Sequence, residues 1–389
     1  MKRVLKICCG TWQNASRDKR ELSVCRELGM ETVVMAKGQP GDSFREDEVD
    51  GFQVFRFSTR PLGTASFLNP LNRVLSLFIW GRKARKFHAD IITGHDLSGL
   101  LVGYLSNLGN SHNAKLVYDS HEFEIGRAAK RNHFQIWAIT RLERFLMRRC
   151  AFSIMVNDSI ADEVQRIHRL KERPVVARNI PPYWELNSSE TAQVRSEFLK
   201  KLELPENTFL VMYHGIVVPD RSIEILLRAV AQTSGTAAVI LGNADSNYLS
   251  SLHSLCETLK ISNRVLFHPA VPVEVLRNYV GAVDVGTSVG AIRCKSYYLG
   301  LPNKVFENIQ SLTPLIVGNV PELEKVVCGY GIGLSVDPEN MEDLIAAIRR
   351  MKDDREFYAA CKENLKQAKE ELCWEKEKSA LKRAYAALL

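Results

Sequence analysis

Short apolar runs alternate with amphipathic segments from one end of the chain to the other, the pattern of parallel sheets covered by helices. In the first half this predicts strands at Val4 to Cys9, Thr32 to Ala36, Phe52 to Phe57, Asp90 to Thr93, Lys115 to Tyr118, Phe152 to Val156 and Pro174 to Ala177, with helices in most intervals. The pattern lapses at IPPYWELNSS, where Pro181 and Pro182 cannot donate backbone hydrogen bonds, as in a linker. It restarts with strands at Thr208 to His214, Ala237 to Leu241, Arg264 to Phe267, Asp284 to Thr287, Pro314 to Val317 and Gly331 to Ser335. Asn340 to Leu389 reads as helical, anchored by Trp374 and Tyr385. The expectation is an α/β chain of two doubly wound domains, residues 1–180 and 181–365, with a helical segment 366–389 packing back towards the first. Such folds bind ligands at the carboxyl ends of their strands, so a shared cleft is where chemistry is expected.

The length of 389 residues suits two domains, and 46% hydrophobic with 25% charged residues is ordinary globular composition. Lys plus Arg exceeds Asp plus Glu by 52 − 45 = +7, unevenly: residues 1–180 hold 29 bases and 19 acids (+10), the remainder 23 and 26 (−3). The first half is therefore expected to face something anionic. The apolar run of MKRVLKICCG is too short for a signal-peptide core, and no stretch reaches the roughly 18 to 20 apolar residues that cross a bilayer. Nine cysteines, an odd number without a C-x-x-C pair, fit reduced thiols in a cytoplasm, and their spacing with the histidines matches no zinc site.

Candidate chemistry clusters at predicted strand ends. Gly10 closes the first strand before a helix expected near Asp18, where free amides can meet an anion. TGHDLSG and YDSHEF put the pairs His95–Asp96 and His121–Glu122 at neighbouring strand ends, and an imidazole that titrates near pH 6.5 can donate to or accept from sugar hydroxyls. In YHGIVVPDRS, Gly215 ends a strand and Arg221, whose guanidinium fork matches phosphate, precedes a helix. In GLPNKVFENIQ, Asn303 can cap a helix on which Lys304 and Glu307, three apart, share a face. A cation beside free amides binds a diphosphate, and a carboxylate one turn on can accept both hydroxyls of a ribose.

These motifs, with ADIITGHD, VYDSHEF, the RNIPP linker and above all GLPNKVFENIQSLTPLIVGNVPEL, resemble the retaining glycosyltransferases of the GT-B architecture, in the 4-like (group 1) family that includes bacterial surface-polysaccharide enzymes. The resemblance covers nearly the whole chain. It implies two Rossmann-like domains facing across a cleft, with Gly10, Gly215, Arg221, Asn303 and Lys304 at the donor diphosphate and Glu307 at the ribose. It also implies His121 at a hydroxyl of the transferred sugar and His95, Asp96 and Glu122 on the acceptor side. Leu299 stands where the family commonly has the first acid of E-x7-E, and Ile216 follows Gly215 where many members have Arg.

The expected reaction moves a sugar from a nucleotide diphosphate donor, a UDP- or GDP-sugar, to a saccharide acceptor with retention. Arg221 and Lys304 stabilise the departing diphosphate, which itself deprotonates the acceptor, and neither a cofactor nor a tightly bound metal is needed. The alternatives are a nucleotide-sugar epimerase of the same architecture and a non-catalytic scaffold, the latter motivated by Leu299 and Ile216. Nucleic-acid binding is not expected, for want of any motif. Arg and Lys alternate with Phe78, Ile79, Trp80, Phe134 and Trp137 on two predicted helices, which points to a lipid-linked acceptor and peripheral contact with an anionic membrane on its cytoplasmic face.

Overall fold

The computed structural model describes every residue except 11, 13–14, 39–44, 64, 110–111 and 128–130. It divides into two compact units, Met1–Asn179 with Glu377–Leu389, and Ile180–Lys376.

Unit 1 is an eight-stranded sheet of β1 (Arg3–Cys8), β2 (Glu31–Lys37), β3 (Arg45–Val49), β4 (Phe52–Phe57), β5 (Ile91–His95), β6 (Lys115–Asp119), β7 (Cys150–Met155) and β8 (Val175–Val176), ordered β3-β4-β2-β1-β5-β6-β7-β8. All neighbours are parallel except β3 and β4, which form a hairpin. The sequence pattern predicts no strand at β3, because REDEV carries a single apolar residue; pairing to β4 supplies what side-chain burial does not. The central strands are buried on both faces, as helix-covered parallel strands must be. Strand order reverses between β1 and β5, which makes the carboxyl ends of these two strands the place for a ligand.

Unit 2 is a six-stranded parallel sheet of β9 (Phe209–His214), β10 (Thr236–Leu241), β11 (Val265–His268), β12 (Val285–Ser288), β13 (Leu315–Gly318) and β14 (Gly333–Val336), ordered β11-β10-β9-β12-β13-β14. Its reversal falls between β9 and β12. One core cluster packs the helices Ile223–Ala231 and Met341–Asp353 on the sheet, and another packs Ser188–Leu202 and Val273–Gly281.

The expected boundary at residue 366 moves. Helix Arg355–Glu371 belongs to unit 2 along its whole length, since Leu365 and Ala368 pack with Phe306 and Ile309. The chain joins unit 1 only within the next helix, Trp374–Ala386, where Glu377 takes the Arg178 guanidinium at 2.6 Å and Tyr385 is fully buried. Trp374, expected as an anchor, is half-buried and donates its backbone N–H to Pro181 O at 2.9 Å. No helix among the described residues is long and apolar enough to cross a membrane.

Candidate functional site

Among the described residues of unit 1, one of the two predicted His-acid pairs forms: His95 Nε2 lies 3.8 Å from Asp96, while its Nδ1 holds Asp18 at 3.0 Å. His121 donates from Nε2 to Asp119 at 3.0 Å and lies 3.5 Å from Asp18. The two rings stack with centroids 3.8 Å apart. Glu122 stays at the rim, largely exposed, and pairs with Arg127 at 3.3 Å. Arg127 also holds Asp96 at 2.8 Å, while Asp96 accepts the His121 backbone N–H at 3.1 Å. Asp96 itself adopts φ +54°, left-handed backbone that Asp tolerates better than most residues but that still costs about 1 kcal/mol.

Beneath the histidines lies a buried charge network that the sequence reading missed. Lys6, in the middle of β1 and fully buried, meets Asp18 at 2.8 Å, Asp119 at 2.9 Å and Glu21. Arg17 meets Asp119 at 2.9 Å, and the Tyr385 hydroxyl donates to Glu21. The one available signal was a lysine inside the apolar run VLKICC. Burial works against ionisation of Asp18 and Asp119, but Lys6 at the first and Arg17 with Lys6 at the second outweigh it and hold both well below the usual carboxylate range. Burial likewise opposes charge on His95, yet its hydrogen bonds to Asp18 and Cys8 push it up to about 11, and Asp119 raises His121 in the same way. Both shifts favour the protonated, donating form of the imidazoles over the accepting one. His121 Nδ1 has no partner among the described residues. Cys8, Asp18 and His95, and Asp18, Asp119 and His121, have the proximity of metal ligands. Lys6 takes one oxygen of Asp18 and one of Asp119 in the same place.

Gly10 follows β1 and is exposed, with residues 11, 13 and 14 of its loop outside the described residues. A Cβ there would meet only Cys8 Sγ at 3.8 Å, so the fold itself does not demand glycine.

In unit 2 the structure brings four of the five predicted residues together. Glu307, on the helix Asn303–Gln310, accepts from His214 Nε2 at 2.9 Å. Lys304, one turn earlier, stands over the Tyr213 ring at 3.7 Å. A Cβ on Gly215 would lie 3.6 Å from Lys304 Nζ, and φ +123° restricts that position to glycine. Arg221 closes a short 3₁₀ turn, Pro219–Arg221, and lies 5.4 Å from the Tyr297 ring. Burial first, then repulsion from Arg221, lowers Lys304 to about 7 against the opposing pull of Glu307. Asn303 is the exception: Pro302 occupies the cap position without a side-chain cap bond, and Asn303 is the first helical residue, exposed. His214, seen in the sequence only as a strand end, is the missed member. It is buried, and its Nδ1 has no hydrogen-bond partner among the described residues. Leu299 is buried, an apolar group where the resemblance has an acid, and Ile216 is exposed.

Two cations and a carboxylate around a strand-end glycine suit a diphosphate with its ribose; imidazole donors at the other unit's switch point suit sugar hydroxyls. Residues 194–368 match the model of the glycosyl transferases group 1, and residues 21–179 that of the glycosyl transferase 4-like domain. A D-inositol 3-phosphate glycosyltransferase from Thermomonospora curvata is 24% identical over 172 residues, 40% of this chain and only 37% of the relative. Among solved structures, sucrose-phosphate synthase from Thermosynechococcus elongatus aligns over 100% of this chain and 99% of its own, with TM-score 0.79 at 16% identity. Anabaena HepE in complex with UDP-glucose aligns over 100% and 99%, with TM-score 0.75 at 15% identity.

Proposed function

The chain belongs to the group 1, 4-like glycosyltransferases and has their two-domain, Rossmann-like GT-B fold, and from that premise we propose that it transfers a sugar with retention from a UDP- or GDP-sugar to a saccharide acceptor, lipid-linked, in surface-polysaccharide or glycolipid synthesis. The observation that carries this is the grouping of Gly215, Lys304, Glu307 and His214 at the end of β9, with Arg221 acting on Lys304. Glu307 Oε1 accepts no hydrogen bond among the described residues and is available to a ribose, while His214 holds Oε2 in place. Lys304 and Arg221 take the charge that develops on the leaving diphosphate, and preorganised charge in a water-poor site is the main source of stabilisation available here. UDP bound to Anabaena HepE favours uridine as the base.

On the acceptor side, His121 donates from Nδ1 to a hydroxyl of the transferred sugar, with His95 beside it, and Asp96, fixed by Arg127, orients the acceptor. The carboxylates around His95 and His121 favour their protonated forms, which fits deprotonation of the acceptor by the departing phosphate on the same face. The reaction needs no resident metal or cofactor. The epimerase and scaffold readings gain no support from a specific contact. The test is turnover: purified protein with radiolabelled UDP-glucose and GDP-mannose should consume donor when a prenyl-diphosphate saccharide is present, and Arg221→Ala and Glu307→Ala should abolish it. A thermal-shift screen in which no UDP, GDP, ADP or CMP compound stabilises the protein would overturn the reading, since a ligand at 100 times its Kd contributes about 2.7 kcal/mol.

A further inference from the structure

Unit 1 contains a pocket of about 780 Å³ that the site above does not use, a size typical of small-molecule sites. It opens at the carboxyl ends of β1, β2 and β4, beside Cys9, and its far wall is the helix Asn69–Ala84. Three cations line it, Lys37, Arg60 and Arg73, and no carboxylate among the described residues does. None of the three has an ion-pair partner among the described residues, whereas the cations around Asp96 and Asp119 are all paired. Unpaired like charges converging on one cavity repel each other, so the arrangement is relieved by an anion.

The wall is preorganised. Asn72, buried, accepts the Leu62 backbone N–H at 2.8 Å and donates to Gly63 O at 3.0 Å, while Trp80 Nε1 donates to Ser58 O at 3.0 Å. These three bonds fasten the loop carrying Arg60 to the helix carrying Arg73, so the backbones that bring the two guanidiniums to one cavity are held in place. Ser98, on the helix Asp96–Asn107, places the pocket next to Asp96, which also contributes to raising the Cys9 thiol.

We infer that this pocket binds a phosphate or diphosphate group on the acceptor, so that the substrate class is a phosphorylated saccharide rather than a neutral one. The inference rests on the transferase reading for the word acceptor, but the anion site stands on its own geometry. Guanidinium forks at Arg60 and Arg73 match phosphate oxygens bidentately, and Lys37 adds a point charge. The group can come from a free sugar phosphate or from a prenyl-linked diphosphate. The same helix turns Phe67's neighbours Leu71, Val74 and Phe78 outwards, next to the pocket.

The test is calorimetry on the full chain saturated with UDP, which occupies the Arg221–Lys304 site and leaves only the pocket to report. Three probes are compared: glucose, glucose 6-phosphate and a farnesyl-diphospho-N-acetylglucosamine. At least one phosphorylated probe should bind tenfold or more tightly than glucose, and Arg60→Ala with Arg73→Ala should remove that advantage while leaving UDP affinity and the melting temperature unchanged, since both side chains are exposed. Preference for the farnesyl compound assigns the source to a lipid-linked acceptor, preference for glucose 6-phosphate to a free one. If neither exceeds glucose, or the double variant changes nothing, the pocket assignment is wrong even though UDP binding keeps the transferase reading intact. If UDP fails to bind but a phosphorylated probe binds in an Arg60- and Arg73-dependent way, the donor reading falls and the pocket stands.

Discussion

His214 Nε2 lies 2.9 Å from Glu307 Oε2, a bond between the end of β9 and the second turn of the helix Asn303–Gln310, residues 93 apart in the chain. It fixes one carboxylate oxygen and leaves the other for a ligand. Glu307→Ala should therefore weaken UDP binding about 10- to 100-fold, the loss of a charge-assisted hydrogen bond of about 1.5 to 3 kcal/mol. Glu307→Gln, which keeps an acceptor for His214, should lose less. Calorimetric titration with UDP checks both, and equal affinity in Glu307→Ala would remove Glu307 from the donor site.

Lys304 at about 7 makes donor binding pH-dependent. Below that pH the ammonium is already charged and affinity is flat. Above it, a bound diphosphate raises the lysine and binding takes up a proton, so affinity for UDP-glucose should fall by up to tenfold per unit between about pH 7.5 and 9. Titration in buffers of different ionisation enthalpy reads the proton uptake directly. Lys304→Met should bind more weakly and with a flat profile.

Gly242 has φ +155°, and a Cβ there would lie 1.8 Å from Gly215 O, a backbone atom that cannot rotate away. Gly242→Ala must displace the Gly215 turn, which lies beside Lys304. The expected result is destabilisation of about 1 to 3 kcal/mol in urea denaturation together with UDP affinity lowered by about tenfold.

Lys6 sits in contact with three buried carboxylates, so Lys6→Met should cost about 3 to 5 kcal/mol, because it removes the cation they share. Asp18 and Asp119 are depressed in the folded protein; the stability they contribute is present above the ordinary carboxylate pKa of about 4 and is lost as pH falls through their folded values. His95 has the opposite sign, contributing fully below about 6.5 and losing its share as pH rises through about 11. Urea midpoints measured from pH 3 to 11 should form a plateau that Lys6→Met narrows at its acid end.

The helix Asn69–Ala84 exposes Leu71, Val74 and Phe78, continuing from Phe67, which is 81% exposed, along one face at spacings of three and four. A second helix, His133–Met147, exposes Phe134 and Trp137, the latter beneath Arg141. If these faces dock on a bilayer, unit 1 should bind anionic vesicles, with affinity falling as salt is raised, and Phe67→Ser with Phe78→Ser should lose most of it. Equal binding to neutral vesicles, or none to either, would return the faces to solvent. Trp80, grouped with them by sequence, drops out: it is buried, its ring tilted against Phe57.

Part of the basic excess in unit 1 also has a plainer use. Arg85 donates to Ser106 O, and Arg144 to Ile167 O, so each occupies carbonyls near a helix C-terminus. Lys6 and Arg17 are internal counter-charges. Arg85 and Arg144 thus have structural roles, whereas Lys37, Arg60 and Arg73 have no ion-pair partner among the described residues.

Apolar runs and their punctuation were enough to locate thirteen strands within about two residues, because a helix-covered parallel strand must be apolar on both faces. The hairpin strand REDEV escaped, since an edge strand held by backbone pairing carries no such mark. In unit 2 the site was legible, because Lys304 and Glu307 are neighbours on one helix and spacing alone puts them together. In unit 1 only the pairing of His95 with Asp96 was. Which acid serves which histidine depends on where β1, β5, β6 and the helix Ser16–Glu27 converge, and Asp18, Asp119 and Lys6 are separated by up to 113 residues. The sequence by itself determined the class of fold, the strand positions and the pairing of Lys304 with Glu307 on one helix. Only the tertiary structure decided that carboxylates distant in sequence push His95 and His121 towards protonation, that Glu307 is held by His214, and that three cations meet in one pocket, since burial and long-range charge set those states and neither is a local property of the chain.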